Sequence, residues 1–158
     1  MTEADRKFMM RAIELAREGV EADAGGPFGC VIVKDGEIVG EGNNRVTSTN
    51  DPTAHAEVVA IREACSKLGS FQLEGCSIYA SCEPCPMCLG AIYWSRPAAI
   101  FYAGTRDDAA AAGFDDDLFY RELELPNEKR ELSMQQIMRD EAQAAFRVWI
   151  EKEDKIEY

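Results

Sequence analysis

Cys82-Glu83-Pro84-Cys85-Pro86-Met87-Cys88 follows a β-like run over residues 77–81 and opens a helical one from Pro86 to about Trp94, so a strand-to-helix loop carries three cysteines. Proline suits the first position of a helix, which leaves Cys85 at the N-cap and Cys88 one turn in. The positive end of that helix favours thiolate over thiol. About thirty residues upstream, His55-Ala56-Glu57 begins another helix, after a loop Asp51-Pro52-Thr53 that ends in a cap signal. Ala54, Val58, Ile61, Cys65 and Leu68 recur along it at helical spacing and mark its expected buried face. Residues two apart do not share a helix flank. A metal reached from both His55 and Glu57 should therefore sit off the helix end.

A catalytic zinc takes three imidazole or thiolate ligands and keeps a fourth tetrahedral position for water. His55, Cys85 and Cys88 fill that list. Glu57 adds a carboxylate able to take a proton from the water and hand it to a substrate. H-x-E followed by P-C-x-x-C is the pattern of zinc deaminases that act on nucleobases. Each half alone has a plainer reading, the cysteine pair as a redox couple and the histidine as packing. The only histidine of the chain, however, falls inside the triplet. A sharper rival makes Cys82 a fourth ligand of a closed structural zinc, which leaves Glu57 without a task. Otherwise Cys82 is a small buried residue at a strand end.

Outward from the motif, Thr2 and Asp5 resemble a capping box, and Phe8, Ala12, Leu15 and Gly19 recur at helical spacing. Gly25-Gly26-Pro27-Phe28-Gly29 breaks that period before a buried strand over residues 30–33, a tight turn at Asp35-Gly36 and a returning strand with Ile38-Val39. Asn43-Asn44 ends it, serving a turn or a ligand. Residues 98–103 are β-like again. Strands alternating with helices predict a mostly parallel sheet covered on both faces, with ligands beyond the carboxyl ends of the strands. Residues 107–112 read as a short helix stopped by Gly113, and Asp115-Asp116-Asp117 as a solvated cap. The text over residues 118–131 is polar, punctuated by Pro126-Asn127. Ala142, Ala145, Phe146, Trp149 and Ile150 then form a stripe on a last helix ending near Lys155, before a frayed tail Ile156-Glu157-Tyr158.

At 158 residues the chain is expected to form one domain over 1–158. Seventeen basic against twenty-nine acidic side chains give a net charge of −12, which disfavours nucleic-acid partners, whose affinity rests on neutralised phosphates. No apolar leader opens the sequence and no run reaches spanning length, so no membrane partner is expected and the chain reads as cytoplasmic. Its six cysteines are then thiols and metal ligands, with Cys30, Cys65 and Cys76 packed in apolar stretches.

Pro52-Thr53-Ala54-His55-Ala56-Glu57, taken with Ser81-Cys82-Glu83-Pro84-Cys85-Pro86-Met87-Cys88, resembles the cytidine deaminase superfamily. Gly113-Phe114-Asp115-Asp116 and the closing Tyr158 narrow the resemblance to its guanine deaminase branch. The resemblance implies an α/β fold, three-layer α/β/α with a five-stranded mixed sheet whose first two strands are antiparallel. It implies a homodimer exchanging a C-terminal segment, about residues 135–158, and one Zn2+ per subunit on His55, Cys85 and Cys88. The implied activity is hydrolytic deamination of guanine to xanthine and ammonia, a step of purine catabolism, by a zinc-bound hydroxide with Glu57 as proton shuttle. Asn44 matches a position that hydrogen-bonds the purine, Asp116 and Tyr158 match the guanine-recognising positions, with Tyr158 coming from the partner chain, and Phe28 and Trp94 match aromatics near the base. Guanosine, cytosine and tRNA adenosine deaminases share every metal residue, and the acidic charge argues against the last. From another class, a zinc-stabilised interaction module would bind metal without turnover.

Overall fold

Alternation along the first strand decides how the sheet is covered. Cys30 and Ile32 join one buried cluster, while Val31 and Val33 join another, as side chains two apart on a strand must. A computed structural model describes residues 2–158, so Met1, the first residue of the expected domain, lies outside the described residues. The chain divides into two compact units, Met1–Asp116 and Asp117–Tyr158.

In the first unit, helix α1 (Glu3–Glu21) starts at the expected capping box, with Asp5 N donating to Thr2 Oγ1 at 3.1 Å and Thr2 N to Asp5 Oδ2 at 2.7 Å. Strands β1 (Gly29–Lys34) and β2 (Glu37–Asn43) are joined through Asp35 and Gly36, both at positive φ. That handedness matches the twist of a tight hairpin. A single turn, α2 (Val46–Thr49), precedes α3 (Ala56–Leu68); β3 (Ser77–Cys82), α4 (Pro86–Ser95), β4 (Ala99–Gly104) and α5 (Arg106–Ala111) follow.

The sheet has four strands in the order β2-β1-β3-β4, not the five expected. β1 runs antiparallel to both neighbours and only β3 and β4 pair in parallel, so the mostly parallel sheet is also corrected. Two local choices cause this. The hairpin turns β2 back beside β1, and after β4 a second capping box at Thr105 and Asp108 sends the chain into α5. Beyond it every described element is helical. β2, β3 and β4 nonetheless point the same way, so their carboxyl ends share one sheet edge, where β1 begins.

α1 covers one face, packing Phe8, Ala12 and Leu15 on Val31, Val33 and Tyr79. α3 and α4 cover the other, with Ala56, Ala60, Ala64 and Ile92 against Cys30, Ile32 and Ile78. The buried face of α3 keeps most of the expected residues, with Ala54 buried and Ile61, Cys65 and Leu68 packed partly buried against the core, but its sealed centre is Ala56, Ala60 and Ala64, which were not expected, and Val58 is only partly buried. Close approach explains it. A methyl group added at Gly42 of β2 would lie 2.2 Å from the carbonyl oxygen of Ala56, so helix and strand touch backbone to backbone and only small residues fit between them.

The second unit holds α6 (Asp117–Glu124), a 3₁₀ turn (Asn127–Lys129) and α7 (Arg139–Glu151). α6 replaces what reads as polar text, and α7 stops before the expected Lys155. Arg130 Nε donates to the carbonyls of Glu122 and Leu125, at 2.9 and 3.1 Å, and Glu131 N donates to Glu122 Oε2, folding the link back onto α6. No residue of this unit is buried. No described helix is long and apolar enough to cross a membrane.

Candidate metal centre and substrate pocket

Two helix N-termini meet at the shared sheet edge. His55 is the N-cap of α3, displacing the cap expected at Thr53, and makes no side-chain capping bond, which leaves its ring to point elsewhere. Cys85 is the N-cap of α4 with Pro86 behind it, and Cys88 sits in the first turn, as the proline predicts. His55 Nδ1 lies 3.6 Å from Cys85 Sγ and 3.5 Å from Cys88 Sγ, and the three ligand atoms lie within 4.8 Å of one another. Tetrahedral zinc, with bonds of about 2.05 Å to nitrogen and 2.3 Å to sulfur, separates such a pair by about 3.6 Å. The side chains therefore stand at the spacing the ion requires, and the donor set suits it.

Charge in the cluster follows the same logic. Cys85 is lowered to about 4, first by the hydrogen bond from the Cys88 thiol and then, against its burial, by His55. Cys88 is pushed well above the usual thiol range because it keeps the proton that its neighbour gives up, in a buried setting. His55 is raised, chiefly by its bond to Cys85. One thiolate beside an imidazole is a nucleus onto which a cation binds with release of the remaining thiol proton.

Glu57, in the first turn of α3, is 8% exposed and its Oε2 accepts from Cys88 Sγ at 3.4 Å. Burial raises its carboxyl. It stands outside the ligand triplet, and a buried carboxyl of raised pKa beside a metal position is equipped to accept a proton and return it. Cys82 is not in the cluster: its Sγ donates to the Thr105 carbonyl at 3.4 Å. The closed four-ligand zinc is thus not formed among the described residues.

Asn44, just past β2, is 5% exposed. Its Oδ1 accepts from the backbone of Gly26 and of Val46, each at 3.2 Å, which fixes the oxygen and leaves Nδ2 as the donor of the amide. Asn44 N in turn donates to the Phe28 carbonyl at 3.0 Å, tying the end of β2 to the start of β1. Phe28 meets Phe114 edge-on, centroids 5.0 Å apart, so the Gly113–Asp116 loop reaches the same edge. Asp116 is partly buried there; burial and then the field of the Cys85 thiolate raise its carboxyl. The contact of Phe114 with Phe28 is one that sequence reasoning missed, although an aromatic beside the acidic run was visible. Trp94 is 65% exposed on the flank of α4 away from Cys88 and Ile92, so the structure does not bring it into the cluster. Tyr158 belongs to the second unit and is 69% exposed.

A family model of the cytidine and deoxycytidylate deaminase zinc-binding region matches residues 2–104. Guanine deaminase of Bacillus subtilis is 57% identical over 151 residues, 96% of this chain and 97% of that one. The X-ray structure of that organism's guanine deaminase superposes with a TM-score of 0.95 at 55% identity, covering 100% of this chain and 99% of its own. A tRNA-specific adenosine deaminase of Agrobacterium fabrum is 41% identical over 105 residues, 66% of this chain and 68% of that one.

Proposed function

The chain belongs to the cytidine and deoxycytidylate deaminase family, and from that premise we infer that it is a zinc-dependent aminohydrolase converting guanine and water to xanthine and ammonia. One observation carries the reading: three ligand atoms at tetrahedral spacing beside a buried carboxyl outside the triplet. The end-to-end likeness to guanine deaminase selects the base.

His55, Cys85 and Cys88 would hold one zinc ion in each subunit. Zinc, when bound, supplies a Lewis acid that lets water ionise near neutral pH. Glu57 takes that water's proton on its carboxylate and gives it to the ring nitrogen beside the amino-bearing carbon of guanine, as oxygen adds to that carbon. The proton left on the added oxygen then passes through Glu57 to the amino group, so that ammonia leaves as the carbon–oxygen double bond forms. Asn44 Nδ2 donates to a purine acceptor, its oxygen being held by backbone. The Asp116 carboxylate accepts from guanine N–H groups, with Tyr158 of the partner subunit completing recognition. Phe28, braced by Phe114, serves as an aromatic wall for the base, whereas Trp94, 65% exposed, takes no part in it.

The partner in this reading is a second copy. Segment 135–158 is exchanged, and the uncovered Ile137, Phe146, Val148 and Ile150 supply the apolar surface for it. A free base in the cytoplasm as substrate agrees with a charge of −12, which opposes tRNA.

The test is ammonia release and ultraviolet change on mixing zinc-loaded protein with guanine and, in parallel, guanosine, cytosine and adenine. Selective turnover of guanine is expected. Turnover of another base alone would overturn the substrate, and silence on all four with zinc bound would overturn the enzyme.

A further inference from the structure

The loop that delivers His55 is held by one side chain. Asp51 Oδ1 accepts from both Thr53 N, at 2.8 Å, and Thr53 Oγ1, at 2.7 Å. Its other oxygen faces Arg62 Nη1 on α3 at 3.6 Å. The backbone of Asp51 is engaged as well, its carbonyl accepting from Ala54 N at 3.0 Å and its N–H donating to the Val46 carbonyl at 3.2 Å. The chain continues from this hub straight into the metal cluster. Thr53 O accepts from His55 N at 2.8 Å, and Ala54 O accepts from Arg45 N at 2.9 Å, next to Asn44. His55 itself makes no side-chain capping bond; its carbonyl accepts from Val59 N at 3.0 Å in the first turn of α3, and its N–H is placed by the turn before it.

We propose that Asp51 is a positioning residue of the metal site, fixing the Thr53–His55 turn so that Nδ1 of His55 faces both cysteine sulfurs. The inference rests on His55 being a zinc ligand, but not on what the enzyme deaminates. The two Thr53 bonds do the positioning. The ion pair with Arg62 is exposed, and such pairs contribute little. An acceptor oxygen at this place matters more than its charge.

Zinc affinity of the full-length protein, read by competition with a chromophoric chelator, tests this without any substrate. Outer groups that orient a metal ligand are worth about 10- to 100-fold in affinity. Asp51→Ala should lose affinity on that scale. Asp51→Asn, whose amide oxygen can accept both Thr53 bonds, should stay within about threefold of wild type by the same reasoning. Equal affinity of Asp51→Ala and wild type would overturn the proposal, as would Asp51→Asn falling as far as Asp51→Ala. Urea midpoints of the metal-free proteins separate a misplaced ligand from a broken fold: the proposal expects Asp51→Asn to match wild type in both readouts. A protein that binds zinc but leaves guanine untouched would refute the substrate reading and leave this one standing.

Discussion

α3 and α7 are each 13 residues long and meet opposite surroundings. α3 buries Ala56, Glu57, Ala60 and Ala64 against the sheet, whereas α7 buries nothing while presenting Phe146, Val148 and Ile150. The bulkier apolar face is the uncovered one. The unit ending at Asp116 completes its core from its own strands and helices, so its side chains can be small where backbones touch. Asp117–Tyr158 has no such cover of its own, and under the homodimer proposed above its cover is a second copy. In the proposed function the chemistry divides along the same line, with His55, Cys85, Cys88 and Glu57 in the first unit and Tyr158 in the second.

That contrast is broken or sharpened most strongly at Leu73, fully buried in the first unit. Leu73→Ala should lower unfolding free energy by about 2–5 kcal/mol in urea titrations. Next comes Gly25, where an added methyl would lie 2.3 Å from Asn44 Oδ1 and 2.6 Å from its carbonyl. Gly25→Ala should cost about 1–3 kcal/mol and, by turning Asn44, raise KM for guanine more than it lowers kcat. A smaller effect sits on the α1 face. Burial, then the bond to Asp5 at 2.8 Å, raises the Tyr79 phenol from 10.0 to about 12. Its stabilising contribution is complete below pH 10, the unfolded value, and is lost as pH rises through about 12. Unfolding midpoints of wild type should fall across that window, less so in Tyr79→Phe, which at neutral pH costs about 0.5–1.5 kcal/mol. Ile150→Ala is the counterpart to Leu73→Ala: within about 0.5 kcal/mol at dilutions where the chain is single, and larger, with a concentration-dependent midpoint, where it is paired. A large loss at every concentration would mean that the second unit is covered within its own chain.

The first unit was the legible one. Capping at Thr2, the Asp35-Gly36 turn and Pro86 at the head of α4 are local rules with one solution, and the structure keeps each. The ligand cluster was legible because metal chemistry restricts residue types more tightly than packing does. The sealed alanines of α3 were not legible because bulk marks the core only where space is left, and Gly42 leaves none. The missing fifth strand and the unforeseen α6 share another cause. In the second unit, apolar residues such as Phe119 and Leu123 stand among charges and are exposed in the single chain, so no core in this sequence disciplines their pattern. Phe114 escaped because its role comes from a contact with Phe28, eighty-six positions away in the chain.

Glu57→Gln tests the central claim most directly, with bound zinc and guanine turnover measured on the same sample. Glutamine keeps the shape of the side chain and removes the proton acceptor. Zinc should be retained at the wild-type level while turnover falls by about 10²- to 10⁴-fold, the usual worth of a positioned acid–base group. Wild-type turnover with zinc in place would contradict the account and remove Glu57 from the chemistry.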